Sequence, residues 1–361
     1  MLDQVRFGSR RDTRRRWPGW ALAGLAAAVI ATLVVIHQGH HHPPRRPGVL
    51  APVREVGHRL LGVTAGWQLA TYGPDGLVRI QPAAGRVTRT AVPPLASTGP
   101  AYFLAGPSQA IIRPLDFVPG YLIPYGRRAR PLTGLLASGG LVVPGPRPGQ
   151  AWIQPGYQAR SLSLAWLDGR SAGHSLRLPR GIWVPTPDGQ GYPLMNDTAK
   201  IRITPSVYDL RPGGLHRVPG YVVAVGPHRW LMASCTRKRC TAVTVDPTSG
   251  ARRVLPGLVP YAELGQPGVI SPDGTTAAVF GVDGSQVTLH LISLVTGAQE
   301  QLAVPLGNAS ASGQTLAWSP DSRWLFVVAA HGRLVAVRAS TGLAQGLGVT
   351  LPPVSQIAIQ A

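Results

Sequence analysis

The chain has 361 residues, a net charge of +20, 44 Gly and 36 Pro, and only 14% of its residues are charged. Punctuation by Gly and Pro this frequent excludes a long-helix architecture and points to short strands joined by turns. All but Lys200 and Lys238 of the 35 basic residues are Arg, a bias that a GC-rich bacterial genome imposes through its codons.

In chain order, residues 1–16 form a basic tail carrying Arg6, Arg10, Arg11, Arg14, Arg15 and Arg16. Residues 17–36, WPGWALAGLAAAVIATLVVI, follow without a charge. As a helix they rise about 30 Å, the depth of a bilayer's hydrocarbon core. The Arg-rich flank keeps the tail cytoplasmic, and Trp17 and Trp20 lie where an interfacial aromatic belt sits. The span exceeds a signal-peptide core and runs into HQGHHHPP with no small-x-small cleavage site, so it reads as an uncleaved signal-anchor. The expectation is a single-pass cell-membrane protein, held in the lipid bilayer by residues 17–36 and extracellular after them. Residues 37–52, rich in His, Pro and Arg, read as an extended linker. With no carboxylate or Cys beside them, His37, His40, His41 and His42 read as solvated spacer and not as a metal site.

Residues 53–361 repeat. A small residue, Pro, a polar or Gly turn and an apolar strand recur at Pro107, Pro146, Pro187, Pro227, Pro272 and Pro320, a period of about 40 to 48 residues. A second register of Gly turns, each before a last strand, stands near Gly85, Gly126, Gly169, Gly213, Gly250, Gly297 and Gly342. Four short strands per unit at that period are the mark of propeller blades, none of which buries both faces alone. The expected fold is all-β: a seven-bladed β-propeller preceded by a single N-terminal transmembrane helix. The turns TPDG, SPDG and SPDS, starting at Thr186, Ser271 and Ser319, resemble those of the WD40-like, TolB-like class of β-propellers, whose blades carry such a turn between the first and second strands. The Gly-His and Trp-Asp dipeptides of WD40 blades do not accompany them.

Pro presets a type I turn, Asp caps the N–H groups that follow and Gly accepts positive φ, so Asp188, Asp273 and Asp321 read as turn-formers. Trp67, Trp152, Tyr192, Trp230 and Trp324 each fall near the start of a second strand, where they are expected to pack between blades. Cys235 and Cys240 bracket TRKR in a hairpin and would face each other as a disulfide, a bond that export permits.

Carboxylates are scarce: beyond residue 46 Glu is limited to Glu55, Glu263 and Glu300. No H-E-x-x-H, G-x-S-x-G, Walker or paired-carboxylate pattern appears, and no catalytic, cofactor or metal residue is assigned. Charge remains. Arg86, Arg89, Arg127, Arg128, Arg130, Arg177, Arg180, Arg217, Arg252 and Arg253 fall on expected outer strands or the turns before them, and the last two repeats lack such residues. Charged edges discourage edge-to-edge pairing; alternatively they form a rim for an anionic partner, with Arg127, Arg128, Arg130, Arg252 and Arg253 as its candidates. Nucleic acid is not expected outside the cytoplasm. The functional expectation is a non-catalytic binding or scaffold module for a protein or an anionic envelope polymer. The alternative is an exported propeller hydrolase or lyase acting on carbohydrate or peptide.

After the last Gly turn, Ser355–Gln360 has strand alternation but no blade of its own. It is expected to pair with GWQLATYG at the amino-terminal end and close the ring. HRLLGV at residues 58–63 competes for that place.

Overall fold

A computed structural model of the chain describes residues 54–55, 57–96, 101–114, 118–137, 140–156, 159–178, 183–197, 206–212, 214–235, 240–256, 268–283, 286–306 and 314–360. The tail, the apolar span 17–36, the linker and the His-rich tract lie outside them, as does Arg180. Among the described residues no helix is long and apolar enough to cross a membrane.

The fold is all-β and propeller-like, with five sheets of four or five strands and one sheet of eight. The first blade is Gln68–Gly73, Gly76–Gln81 and Arg86–Thr90, flanked by Gln356–Gln360 and Arg54–Glu55. The second blade is Ala101–Ala105, Gln109–Pro114, Tyr121–Pro124 and Arg130–Pro131. The third is Val142–Pro144, Gln150–Ile153, Ser161–Trp166 and Ser171–Arg177. The fourth is Trp183–Pro187, Pro193–Asp197, Ser206–Arg211 and Gly214–Pro219. The eight-stranded sheet has a leading half (Tyr221–Val225, Trp230–Cys235, Cys240–Val245, Arg252–Val254) and a trailing half (Gly268–Ile270, Thr276–Asp283, Gln286–Ser293, Gln299–Leu302). The last blade is Leu316–Trp318, Trp324–Val328, Leu334–Arg338 and Ala344–Gly346.

Among the described residues all pairings are antiparallel except one, which joins the two halves through Ala224↔Gly268 and Val225↔Val269. On its other side Gly268 lets the strand Thr276–Asp283 of the trailing half lie close, because a Cβ there would stand 2.1 Å from the Ala278 carbonyl oxygen.

The carboxyl-terminal strand closes the ring. Gln356–Gln360 pairs antiparallel with Gln68–Tyr72, as the orphan alternation QIAIQ predicts. The Ile357 N–H also donates to the Gln314 carbonyl at the edge of the last blade, 2.8 Å away. HRLLGV does not compete: Leu60–Gly62 is a 3-10 turn, with Leu61 at φ 55. Its Leu60 and Val63 instead fill the seam between the first and last blades, beside Trp67, Phe326 and Val354. Every other seam has its own apolar cluster. Ile112 and Ala70 join first to second, Ile111 and Ile153 second to third, Trp152 and Met195 third to fourth, and Leu194 and Trp230 fourth to the eight-stranded sheet. Leu231 and Ile292 span its two halves, and Phe280 and Trp318 lead into the last blade. Alternating apolar residues on both faces of each sheet explain this ring, because a blade exposes two faces and a neighbour covers each.

Candidate functional site

The repeat turns that connect first and second strands meet from blade to blade. In five of them the residue before Pro begins the turn and its N–H crosses it. Gly106 donates to Gln109, Gly145 to Gln150, Gly226 to Arg229, Ser271 to Thr276 and Ser319 to Trp324, at 2.8 to 3.0 Å. The two serines add a hydroxyl that accepts the returning N–H, Thr276 on Ser271 Oγ at 3.0 Å and Trp324 on Ser319 Oγ at 2.9 Å. Asp273 and Asp321 stand outside that layer, exposed, and accept the N–H groups of Thr275 and Arg323 at 3.0 and 3.3 Å. All three turn aspartates therefore cap backbone, as the sequence predicts.

The fourth blade departs from this register. Thr186 and Pro187 remain in the strand, and the turn begins two residues later than the Pro alignment implies, at Asp188. The Asp188 N–H donates to the Tyr192 carbonyl at 2.8 Å, and its Oδ1 accepts N–H groups from Gln190 and Tyr192 at 2.7 and 2.8 Å. A carboxylate thus occupies the inner place that a serine hydroxyl holds elsewhere, and it is 0% exposed. Arg211 bridges it to a second buried carboxylate, with Nη2 3.5 Å from Asp188 Oδ2 and Nε 2.7 Å from Asp209 Oδ2. Asp209 Oδ1 is buried without a partner. Burial pushes the Asp188 carboxyl up to about 6, against the pull of the Tyr192 and Gln190 N–H groups, while Asp209 adds repulsion and Arg211 opposes it. Burial likewise raises Asp209, against Arg211 and His216.

The sequence carries no paired-carboxylate pattern, and this pair, bridged by Arg211, joins residues 21 positions apart. It forms only on folding, although one signal exists: in the strand SVYDLR, Asp209 and Arg211 are two residues apart and so share a face.

The aromatic side chains lie between blades as expected. Trp152 Nε1 donates to the Gly191 carbonyl at 2.8 Å, and Trp230 Nε1 to the Asp188 carbonyl at 2.7 Å, each on the fourth blade. Trp67 meets Phe326 edge-on at 5.7 Å between centroids. Trp324 is buried, while Tyr192 is half-buried against Trp152 at 6.3 Å. Cys235 and Cys240 are directly paired in register and bonded, with Cα atoms 4.0 Å apart. The Tyr221 hydroxyl lies 3.4 Å from Cys235 Sγ and 3.8 Å from Cys240 Sγ.

Arg127, Arg128, Arg130, Arg252 and Arg253 are all exposed, as are Arg86, Arg89, Arg177 and Arg217. They do not form one patch. Arg127, Arg128 and Arg130 border the outer strand of the second blade, and Arg252 and Arg253 lie on that of the leading half, with two blades between. The outer strands Gln299–Leu302 and Ala344–Gly346 carry no Arg. Among the described residues no three His, Cys, Asp or Glu side chains converge as a metal site.

No family model matches the chain, and no curated protein matches its sequence. Among solved structures it is similar to a functionally unknown protein from Desulfotomaculum acetoxidans at 12% identity and TM-score 0.51, over 82% of this chain and 99% of that one. It is also similar to a candidate 6-phosphogluconolactonase from Bacteroides fragilis at 11% identity and TM-score 0.50, over 83% of this chain and 99% of that one. TolB from Acinetobacter baumannii matches at 12% identity and TM-score 0.41, over 81% of this chain and 66% of that one. At such identities the first two likenesses convey fold alone, and the fold they support is a β-propeller.

Proposed function

We propose that the chain is a membrane-tethered, extracytoplasmic propeller of seven blades that binds a protein or an anionic envelope polymer through its exposed arginines and is not itself an enzyme. The blade count takes each half of the eight-stranded sheet as one blade. Each half is a four-stranded meander, and an apolar cluster fills the seam between them. The S-P-D turns group it with TolB-like propellers. The tether is the uncharged span 17–36 behind six arginines.

The observation that carries the binding reading is the placement of charge. The outer-strand arginines from the first blade through the leading half face solvent, whereas the carboxylates Asp188 and Asp209 are buried and held by a turn and an arginine. An arc of fixed positive charge attracts polyanions, and salt weakens that attraction.

The test is retention of the purified full-length protein on an immobilised anionic polymer as salt is raised. Arg127→Glu, Arg128→Glu and Arg130→Glu together are expected to shift elution to lower salt. Unchanged elution contradicts the rim, and turnover in a panel of glycosides and peptides contradicts the non-catalytic reading. A reporter fused to the carboxyl end is expected to be active outside the cell, and a mature amino terminus between residues 37 and 52 contradicts the anchor.

A further inference from the structure

Two half-buried arginines lie over tyrosine rings. Arg211 lies 5.7 Å from the Tyr192 ring centroid and holds two carboxylates. Arg79, on the strand Gly76–Gln81 of the first blade, has its guanidinium carbon 3.9 Å from the Tyr125 ring centroid, across the seam on the second blade. Among the described residues Arg79 meets no carboxylate. Its Nη2 donates to Gln68 Oε1 at 2.5 Å, and its Nε is buried without a partner.

Three more half-buried polar groups converge there. The Tyr125 hydroxyl donates to the Gly106 carbonyl at 2.8 Å. The Gln360 amide, on the strand that closes the ring, donates to that carbonyl and to the Tyr125 hydroxyl. Gln68 stands opposite Gln360 in register. Burial pushes the Tyr125 phenol up to about 12, so it stays neutral beside the guanidinium and the cluster is cationic at neutral pH.

We propose that this seam between the first and second blades is a binding site for a small oxyanion, a carboxylate or phosphate group that takes at Arg79 the place the aspartates take at Arg211. A partly desolvated guanidinium costs free energy unless an acceptor of opposite charge meets it, and its planar fork fits two oxygens of a carboxylate or phosphate. Gln68, whose Oε1 is taken by Arg79, keeps its amide N–H groups for a ligand at the rim; the Gln360 amide holds Tyr125 in place, and Tyr125 supplies a neutral aromatic floor. Half-exposure of all four side chains leaves the site reachable from solvent. None of the four side chains of the site is an outer-strand arginine, so either reading can fail alone.

The test is calorimetric titration of the full-length protein in detergent micelles with acetate, inorganic phosphate and polyphosphate, each against chloride at equal ionic strength. Saturable binding is expected, weakened about tenfold or more, or about 1.4 kcal/mol, in Arg79→Gln. Arg79→Lys keeps the charge and loses the fork, so it serves as the second variant if Arg79→Gln does not fold. The variant Arg127→Gln/Arg128→Gln/Arg130→Gln is expected to bind as the parent does. Saturation by acetate or inorganic phosphate supports a free solute, and saturation by polyphosphate alone supports a group borne on a polymer. The proposal is overturned if none of the three saturates, or if Arg79→Gln and Arg79→Lys both bind as the parent does.

Discussion

Asp188 and Asp273 both follow Pro and precede Gly, yet the first is wholly buried and the second faces water. In the trailing half, Ser271 accepts the returning N–H, so Asp273 needs only to cap Thr275 and to accept the Ser271 hydroxyl at 2.6 Å. In the fourth blade, Pro187 stays in the strand and the chain must reverse between Asp188 and Tyr192. Gly189 and Gly191, at φ 85 and 89, make that possible. The carboxylate then has the inner place, and a buried carboxylate requires a counter-charge that a hydroxyl does not. Arg211 supplies it. A tetrapeptide motif fixes hydrogen-bonding capacity, while the neighbouring glycines decide which of its groups faces the core.

The largest expected effect comes from removing the inner group. Asp188→Ala leaves two buried turn N–H groups without their acceptor and Arg211 with Asp209 alone, and is expected to cost about 3 kcal/mol. Asp273→Ala, at an exposed cap, is expected to cost about 1 kcal/mol or less. Urea unfolding of the two variants checks this, and equal costs contradict the difference in register.

The pH dependences should have opposite signs. The folded carboxyl of Asp188 titrates at about 6, above its ordinary 3.8, so the native state keeps a proton that the unfolded chain has released. Its contribution to stability is full below that ordinary value and is lost as pH rises through about 6, by up to about 3 kcal/mol. At Asp273 burial acts to raise the carboxyl, but the Ser271 hydroxyl and the Thr275 N–H and hydroxyl outweigh it and the net shift is downward. That residue stabilises above its unfolded pKa and loses the contribution as pH falls. Unfolding midpoints from pH 4 to 7 are expected to show a fall that Asp188→Asn flattens and Asp273→Asn leaves in place. Asp209, raised by the same burial, contributes a fall of the same sign, so a fall left undiminished by Asp188→Asn contradicts the assignment.

The glycines sharpen the same contrast. A Cβ on Gly189, at φ 85, would meet the Gly226 carbonyl carbon at 2.4 Å, whereas one on Gly274, at φ 73, finds nothing nearer than the His228 Cβ at 4.0 Å. Gly189→Ala is expected to cost about 2 kcal/mol and Gly274→Ala about 1 kcal/mol. Thermal unfolding decides it, and a reversed order contradicts the packing. Trp230→Phe keeps an aromatic ring in the seam but loses the bond to the Asp188 carbonyl, and is expected to cost about 1 kcal/mol. A neutral result would remove that bond from the account.

Strands and turns are legible in the sequence because alternation, Pro and Gly act locally. The closing strand is legible for the same reason: Gln356–Gln360 alternates, and so does its partner Gln68–Tyr72. The Cys235–Cys240 bond follows from their places on one hairpin. The register of the fourth turn is hidden, since TPDG and SPDG share letters and differ in which residue folds inward. HRLLGV has the apolar content of a strand, but Leu61 at positive φ turns it. The carboxylate pair and the Arg79 cluster are hidden because sheet pairing and seams, not spacing, bring Asp188 to Arg211 and Arg79 to Tyr125.

Closure of the ring by the carboxyl-terminal strand is the claim on which both the seam site and the order of the blades depend. Amide hydrogen exchange tests it directly at the pairs Leu69↔Ile359, Ala70↔Ala358 and Thr71↔Ile357. Both strands are expected to exchange together, at the slow rate set by global unfolding. Fast exchange of Ile357–Ile359 while the Leu69–Thr71 amides stay protected would contradict closure and return the tail to a dispensable edge.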